Sequence, residues 1–369
     1  MPNHDLLDAV RKNDYQRALH AVCMGASVNA RDGYDTALDI AIENNNPKMV
    51  FLLIDEEDDK MDHNSLECGL YTAMCEGKRE ISRMIATHME NTTTHPTFDK
   101  TYVVMAIEKN WPDVLEALAQ RGAPLEKGEN RGVDPLRLAA RLNRGDCIRA
   151  MGRRFEDVDK FENELTPLQL AALKGNDDAV GALIDIGAEI NTTYSTLGDS
   201  VKILAMFSTA FLYIPNLPSR NNAVHYAAQS NNPKTIETIA EKCASVFHVN
   251  SVGTNDKSPL MQAIERGAEK TAKVLLEYGA DPNLKDKYTS PLHVAVRLNR
   301  PDLIQLLFNY GADQKVKNSQ GQTPFEYAVR LNSVDCIPLL SQAWTSGKPI
   351  VTQKPYYRPQ KGKDRDERS

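Results

Sequence analysis

Cys68 and Cys75, with His63 and His88 on either side, are the residues of this chain whose types and spacing come nearest to a metal site. A zinc centre needs thiolates and imidazoles clustered at short intervals, as in C-x-x-C pairs. No such pair occurs among Cys23, Cys68, Cys75, Cys147, Cys243 and Cys336, so reduced thiols without a metal are expected. The acidic run from Asp55 to Asp59 lacks the spacing and the glycine of a calcium loop and reads as a solvated turn. Glu43, Glu108 and Glu265 recur at equivalent positions of a repeat, which places them on a helix surface and not in a carboxylate pair. Phosphate-binding, zincin, nucleophile-elbow and dinucleotide-binding motifs are absent. No catalytic, metal or cofactor residue is assigned, and a non-enzymatic chain is expected.

The elements that carry these residues are short. From Ser290 to Asp313 the chain reads SPLHVAVRLNRPDLIQLLFNYGAD. Leu292, Ala295, Val296 and Asn299 fall at i, i+3, i+4 and i+7 on one helical face, and Leu303, Ile304 and Leu307 form a second. Ser290 is placed to cap the first helix through its hydroxyl, with Pro291 at the first helical position. Asn299 is placed to end that helix in the left-handed conformation, and Gly311 to turn the chain out of the second. A helix pair this small cannot bury its own apolar face and needs neighbours of the same kind.

Such neighbours are present. An alanine recurs in one context at Ala9, Ala41, Ala73, Ala106, Ala139, Ala171, Ala227, Ala263, Ala295 and Ala328, at steps of 32 to 36 residues apart from one step of 56. An apolar residue stands three positions before every one of these alanines. A cap-capable side chain stands five before in eight of ten, His4 and Cys68 being the exceptions. Four after comes Asn13, Asn45, Gly77, Asn110, Asn143, Gly175, Asn231, Gly267, Asn299 or Asn332, a column that calls for positive φ. Gly-Ala pairs at Gly25, Gly122, Gly187, Gly279 and Gly311 close second helices.

These columns resemble the ankyrin repeat. The copies SPLHVAV at Ser290, TPLQLAA at Thr166, TPFEYAV at Thr323, SPLMQAI at Ser258 and DPLRLAA at Asp134 match its T-P-L-H-x-A-A helix, and GADPN, GAEIN and GASVN at Gly279, Gly187 and Gly25 match its exit. Seven units carry Asn where the family prefers Gly. The resemblance implies an all-α solenoid of about ten helix-turn-helix units with β-hairpin loops over residues 1–344, the alanines packing between first helices. It also implies that His225 and His293, in the histidine slot, hydrogen-bond between adjacent hairpins. Cys147 and Cys336 share one register position and are expected as core thiols.

Two stretches break the period. Within the 56-residue step lies an apolar insertion between repeats six and seven, about residues 193–219, whose uncharged run Ile203 to Ile214 is too short to span a bilayer. It is expected to fold back on the repeats, or to present Met206, Phe207, Phe211 and Tyr213 to a partner. Residues 345–369 carry seven Lys and Arg against three Asp and Glu, a net +4, and read as a disordered basic tail. That tail sits on a chain of net charge −6, which argues against nucleic acid as the partner. With no N-terminal apolar run and no spanning segment, a cytoplasmic, monomeric protein without membrane contact is expected.

Function by resemblance is protein binding through the concave surface and hairpin tips. The candidate contacts are Tyr34 and Tyr288 near finger tips, Arg141, Arg297 and Arg330 two positions after their alanines, and Phe207 and Phe211 in the insertion. Arg297 and Arg330 are expected to form a basic stripe suited to carboxylates. A second reading is an effector secreted by an intracellular bacterium that binds host proteins through the same repeats. A third, an enzyme with its site in the insertion, finds mainly Lys202 and Ser208 there.

Overall fold

The computed structural model describes residues 2–33, 35–55, 61–89, 101–125, 132–152, 154–155, 157–162, 165–193 and 220–346. The chain divides into two compact units, one ending at Glu156 and the other beginning at Asp157. Each is built of helix pairs. The first unit contains α1 (Pro2–Arg11), α2 (Tyr15–Cys23), α3 (Ala37–Glu43), α4 (Pro47–Ile54), α5 (His63–Cys75), α6 (Arg79–His88), α7 (Tyr102–Lys109), α8 (Pro112–Gln120), α9 (Pro135–Arg141) and α10 (Gly145–Met151). The second contains α11 (Pro167–Lys174), α12 (Asp177–Asp185), α13 (Ala223–Gln229), α14 (Pro233–Lys242), α15 (Pro259–Glu265), α16 (Glu269–Glu277), α17 (Pro291–Arg297), α18 (Pro301–Asn309), α19 (Pro324–Leu331) and α20 (Ile337–Ser346). Within each unit the odd-numbered first helices pack in sequence on one another, and most even-numbered second helices do likewise. No described helix is long and apolar enough to cross a membrane.

The core follows the columns. All ten register alanines are fully buried. The apolar residues three before them are buried too, except Phe325, which is half-buried. Seven of the eight cap side chains accept a hydrogen bond from the backbone N–H three residues on, at 3.0–3.3 Å. Thr36, Thr166, Asn222 and Thr323 complete capping boxes.

Ser290 departs from the expected cap. Its hydroxyl lies 2.7 Å from His293 Nδ1 and makes no cap bond, because the buried imidazole takes it first. Helix α5 begins well before Cys68: Asp62 caps it by accepting the Ser65 N–H at 2.8 Å. The hairpins are also plainer than expected. Among the described residues one two-stranded ladder forms, β1 (Arg31–Asp32) against β2 (Asp35–Thr36). Other finger tips are turns closed by single bonds, such as Asp286 N–H to Thr289 O at 3.0 Å and Asn318 N–H to Gln322 O at 2.9 Å. There an Asp or Asn side chain takes backbone N–H groups that a ladder would use.

The helix-ending column holds positive φ in nine units, between +49° and +79°. Asn231 is the exception. Helix α13 instead ends in extended Ser230, whose hydroxyl donates to Ala227 O at 2.7 Å. Asparagine at this position does more than tolerate the conformation. Asn13 accepts from Asn46 Nδ2 at 2.5 Å, Asn110 from Cys147 Sγ at 3.7 Å and Asn299 from Cys336 Sγ at 3.5 Å, each a bond to the following repeat. Asn299 Nδ2 also donates to Asp335 at 2.6 Å. Glycine would offer the backbone conformation without these bonds.

Asn299→Ala should therefore lower stability by about 1–2 kcal/mol, the cost of an alanine in the left-handed region, and Asn299→Gly by less. Asn231→Ala, exposed and without positive φ, should change it by under about 0.5 kcal/mol. Urea midpoints at constant slope measure all three.

Candidate functional site

Most polar side chains of the second unit serve the fold. Three of the sequence-selected residues do not. Tyr288, Arg297 and Arg330 come from different elements and line one cavity of about 170 Å³. Tyr288 lies on the finger before α17, Arg297 ends α17, and Arg330 stands in the last turn of α19.

The finger tips position the upper wall. Asp286 Oδ1 accepts the Tyr288 and Thr289 N–H groups at 2.8 and 2.6 Å, and Asn318 Oδ1 accepts those of Gln320 and Gln322 at 3.0 and 2.9 Å. Both are side-chain-closed turns. The Ser319 N–H donates to Tyr288 O at 2.9 Å and ties one finger to the next. Tyr288 remains 59% exposed, a large side chain held out at the rim.

His293 fixes the floor. Its Nε2 lies 2.9 Å from Gln322 O, a carbonyl that can only accept, so Nε2 carries the proton and Nδ1 accepts from the Ser290 hydroxyl. This is the inter-hairpin bond expected of the histidine slot. The ring meets Tyr327 edge-on at 5.7 Å, and the Arg330 guanidinium sits 5.0 Å above the Tyr327 ring. Burial pushes the His293 pKa down, so the imidazole is neutral at pH 7.

His225 fills the same slot in repeat seven but behaves differently. Its Nδ1 lies 2.7 Å from Asn222 Oδ1, while Nε2 faces the Ser251 and Lys257 backbone of the next hairpin without a hydrogen bond of normal geometry. Burial takes its pKa down to about 4.

Arg297 and Arg330 do not run as a bare stripe. Glu265, one repeat earlier in the same column, pairs with Lys257 at 2.8 Å and reaches Arg297 at 3.5 Å. Arg141 is exposed at the end of α9 in the first unit. Tyr34, Phe207 and Phe211 lie outside the described residues, as do the greater part of the insertion and the basic tail. Sequence reading missed Tyr327, Asn318 and Gln320. Tyr327 was within reach of it, since it precedes Arg330 by three residues on one helix, the spacing at which side chains meet.

The residues of the candidate metal cluster take separate partners. His63 lies 3.3 Å from Glu67, and His88 packs on Phe51 and lies 3.5 Å from Asp55. Among the described residues no three His, Cys, Asp or Glu side chains are grouped to hold a metal. Cys147 and Cys336 are fully buried, as expected of core thiols, and burial pushes both up to about 11.

Stacked helix pairs with buried alanines, left-handed helix ends and finger turns define the class. A family model described as ankyrin repeats (3 copies) matches residues 103–194 and 195–286, and one described as ankyrin repeats (many copies) matches 275–328. Together they span more than half of the sequence, and the chain belongs to the ankyrin repeat family. Among curated proteins it is 21% identical over 87% of its length to the ankyrin repeat and KH domain-containing protein mask-1 of Caenorhabditis elegans, of which it covers 13%. It is 31% identical over 32% of its length to mouse ankyrin repeat and SOCS box protein 9, covering 37% of that protein. To human transient receptor potential cation channel subfamily A member 1 it is 22% identical over 88% of its length, covering 31%. The chain thus spans well under half of each of these relatives. The crystal structure of the human ASB11 ankyrin repeat domain superposes with a TM-score of 0.51 at 21% identity, covering 65% of this chain and 98% of that one, a likeness of fold.

Two solution measurements follow. The unfolded chain takes up a proton on His225 near pH 6.5 that the folded chain refuses until about pH 4, so stability falls as pH drops through that window. Wild type should lose up to about 3 kcal/mol more than His225→Gln between pH 7 and pH 4 in denaturant titrations. Gln already occupies the equivalent position in repeat six, as Gln169, so the variant should fold. With a colorimetric thiol reagent, exposed Cys23 and Cys75 should label in the native state, and Cys147 and Cys336 only on unfolding.

Proposed function

We propose that this chain is a non-enzymatic protein-binding scaffold whose principal contact surface is the groove at Tyr288, Arg297 and Arg330. The observation that carries the reading is their convergence on one cavity, with a largely exposed tyrosine at its rim. Aromatic and Arg side chains are the residue types that anchor interfaces, and here both are held by a scaffold already cross-linked from finger to finger. The names of two relatives join ankyrin repeats to a KH domain or a SOCS box, which fits an array used for recognition beside other modules. On this reading the array occupies residues 1–344 and works in the cytoplasm as a monomer, with the tail at 345–369 an accessory. Arg141, Tyr34, Phe207 and Phe211 are secondary contacts.

Affinity capture with crosslinking from a lysate, comparing wild type with the Tyr288→Ala, Arg297→Ala, Arg330→Ala triple variant, tests the surface. Recovery of the crosslinked partner should drop at least about tenfold while the melting temperature moves by no more than a few degrees, since these are surface substitutions. Equal recovery would remove this groove as the contact surface. Deletion of residues 195–217 in parallel reports on the insertion.

A further inference from the structure

We infer that the groove is built for an acidic peptide segment, whose carboxylates are taken by Arg297 and Arg330 while a neighbouring side chain packs on Tyr288. This rests on the reading above and names the chemistry of the partner.

The charge of this patch opposes that of the chain. The net charge overall is −6, yet the fingers before α17 and α19 carry Lys285, Lys287, Lys315 and Lys317, next in sequence to the residues that line the cavity, and α17 and α19 carry the two arginines. The local carboxylates are fewer, four against six cations, and bond within the protein, Glu326 also feeling the charge of Lys317. Asp286 and Asp313 accept backbone N–H groups of their own turns, and Glu326 is held in a capping box with Thr323. Glu265 is taken by Lys257 at 2.8 Å and reaches Arg297 only at 3.5 Å. Among the described residues Arg330 and the four lysines have no carboxylate within 4 Å. What they do touch is a ring or a carbonyl: Arg330 the Tyr327 ring at 5.0 Å, Lys287 the Tyr288 ring at 5.6 Å, and Lys285 the Lys317 carbonyl at 3.2 Å.

The Arg330 guanidinium lies over the Tyr327 ring at 5.0 Å, and no described carboxylate takes its N–H groups, which can meet a carboxylate with two parallel bonds. The cavity, about 170 Å³, is smaller than the roughly 300–1,000 Å³ of small-molecule sites and fits one or two side chains. Gln320, which lines it, adds an amide able to bond a peptide backbone, the Asn318 amide being taken up by its own turn. A nucleic acid fits less well. Its phosphates call for a long run of cations, and here Glu265 interrupts the run, with Lys257 drawn onto it and Arg266 donating to Gln229 at 3.2 Å.

The test is selection of a random peptide library on the full-length protein, in parallel with Arg297→Glu/Arg330→Glu and the alanine triple variant. Wild type should enrich Asp and Glu at a fixed spacing from an aromatic or apolar residue, and the double Glu variant should lose that enrichment. A selected peptide followed by fluorescence anisotropy should bind at least about tenfold more weakly when its Asp and Glu are replaced by Asn and Gln, and more weakly as salt rises from about 50 to 300 mM. Amide counterparts that bind within about twofold, or a single-stranded RNA oligonucleotide that displaces the peptide at lower concentration than the peptide itself, would overturn the inference. If the selected peptides show no acidic excess but still fail to bind the triple variant, the acidic partner is lost and the groove stands. If the triple variant selects the same peptides as wild type, or wild type enriches nothing, both fall.

Discussion

The contact on which everything else depends is the packing of one first helix on the next through fully buried alanines. Isolated helices of seven to thirteen residues, the lengths found here, are barely stable in water. Only close approach to neighbours removes their apolar faces from solvent. A small side chain at the centre of each face permits that approach, and the flanking Leu, Val and Ile supply the buried area.

That stacking brings polar groups of adjacent repeats into register, and the chain uses the register repeatedly. Left-handed Asn13, Asn110 and Asn299 accept from the next repeat, and exit asparagines bond the next exit: Asn250 accepts the Asp281 N–H at 2.8 Å, and Asn283 the Asp313 N–H at 2.7 Å. Thr271 and Ser333 add hydroxyl bonds to Ser230 O and Val296 O of the preceding repeats. Such bonds are modest singly but keep the buried helix ends satisfied. They also explain why asparagine stands where glycine would answer the backbone alone.

The groove is a by-product of this order. Once caps, turns and ladders have claimed the short polar side chains, the long ones at the ends of first helices and on finger tips are left facing one another across repeats. Arg297 meets Glu265 over a separation of one repeat, Arg330 lies over the ring of a tyrosine of its own helix, and Tyr288 lines the same cavity from a finger tied to the next. Specificity then resides in positions that the repeat pattern leaves open.

The alanine, cap and helix-ending columns were legible in the sequence by themselves, because each answers to a local backbone requirement: a small contact, a donor to satisfy, a positive φ. The buried Cys147 and Cys336 follow from those columns, and the ankyrin resemblance that the columns carry implies the family, the helical class and the role of His293. The tertiary structure alone decided what depends on competition between groups distant in sequence or on exact local geometry. The sequence predicts a cap at Ser290, but a buried imidazole claims its hydroxyl. It predicts a left-handed Asn231, yet the helix ends a residue early on Ser230. It predicts hairpins at the fingers, and those at Asp286 and Asn318 close as side-chain turns. That Tyr288, Arg297 and Arg330 share a cavity with Tyr327 as its floor was likewise beyond the pattern, since a column states which face a residue occupies and only the stack sets what faces it across the next repeat.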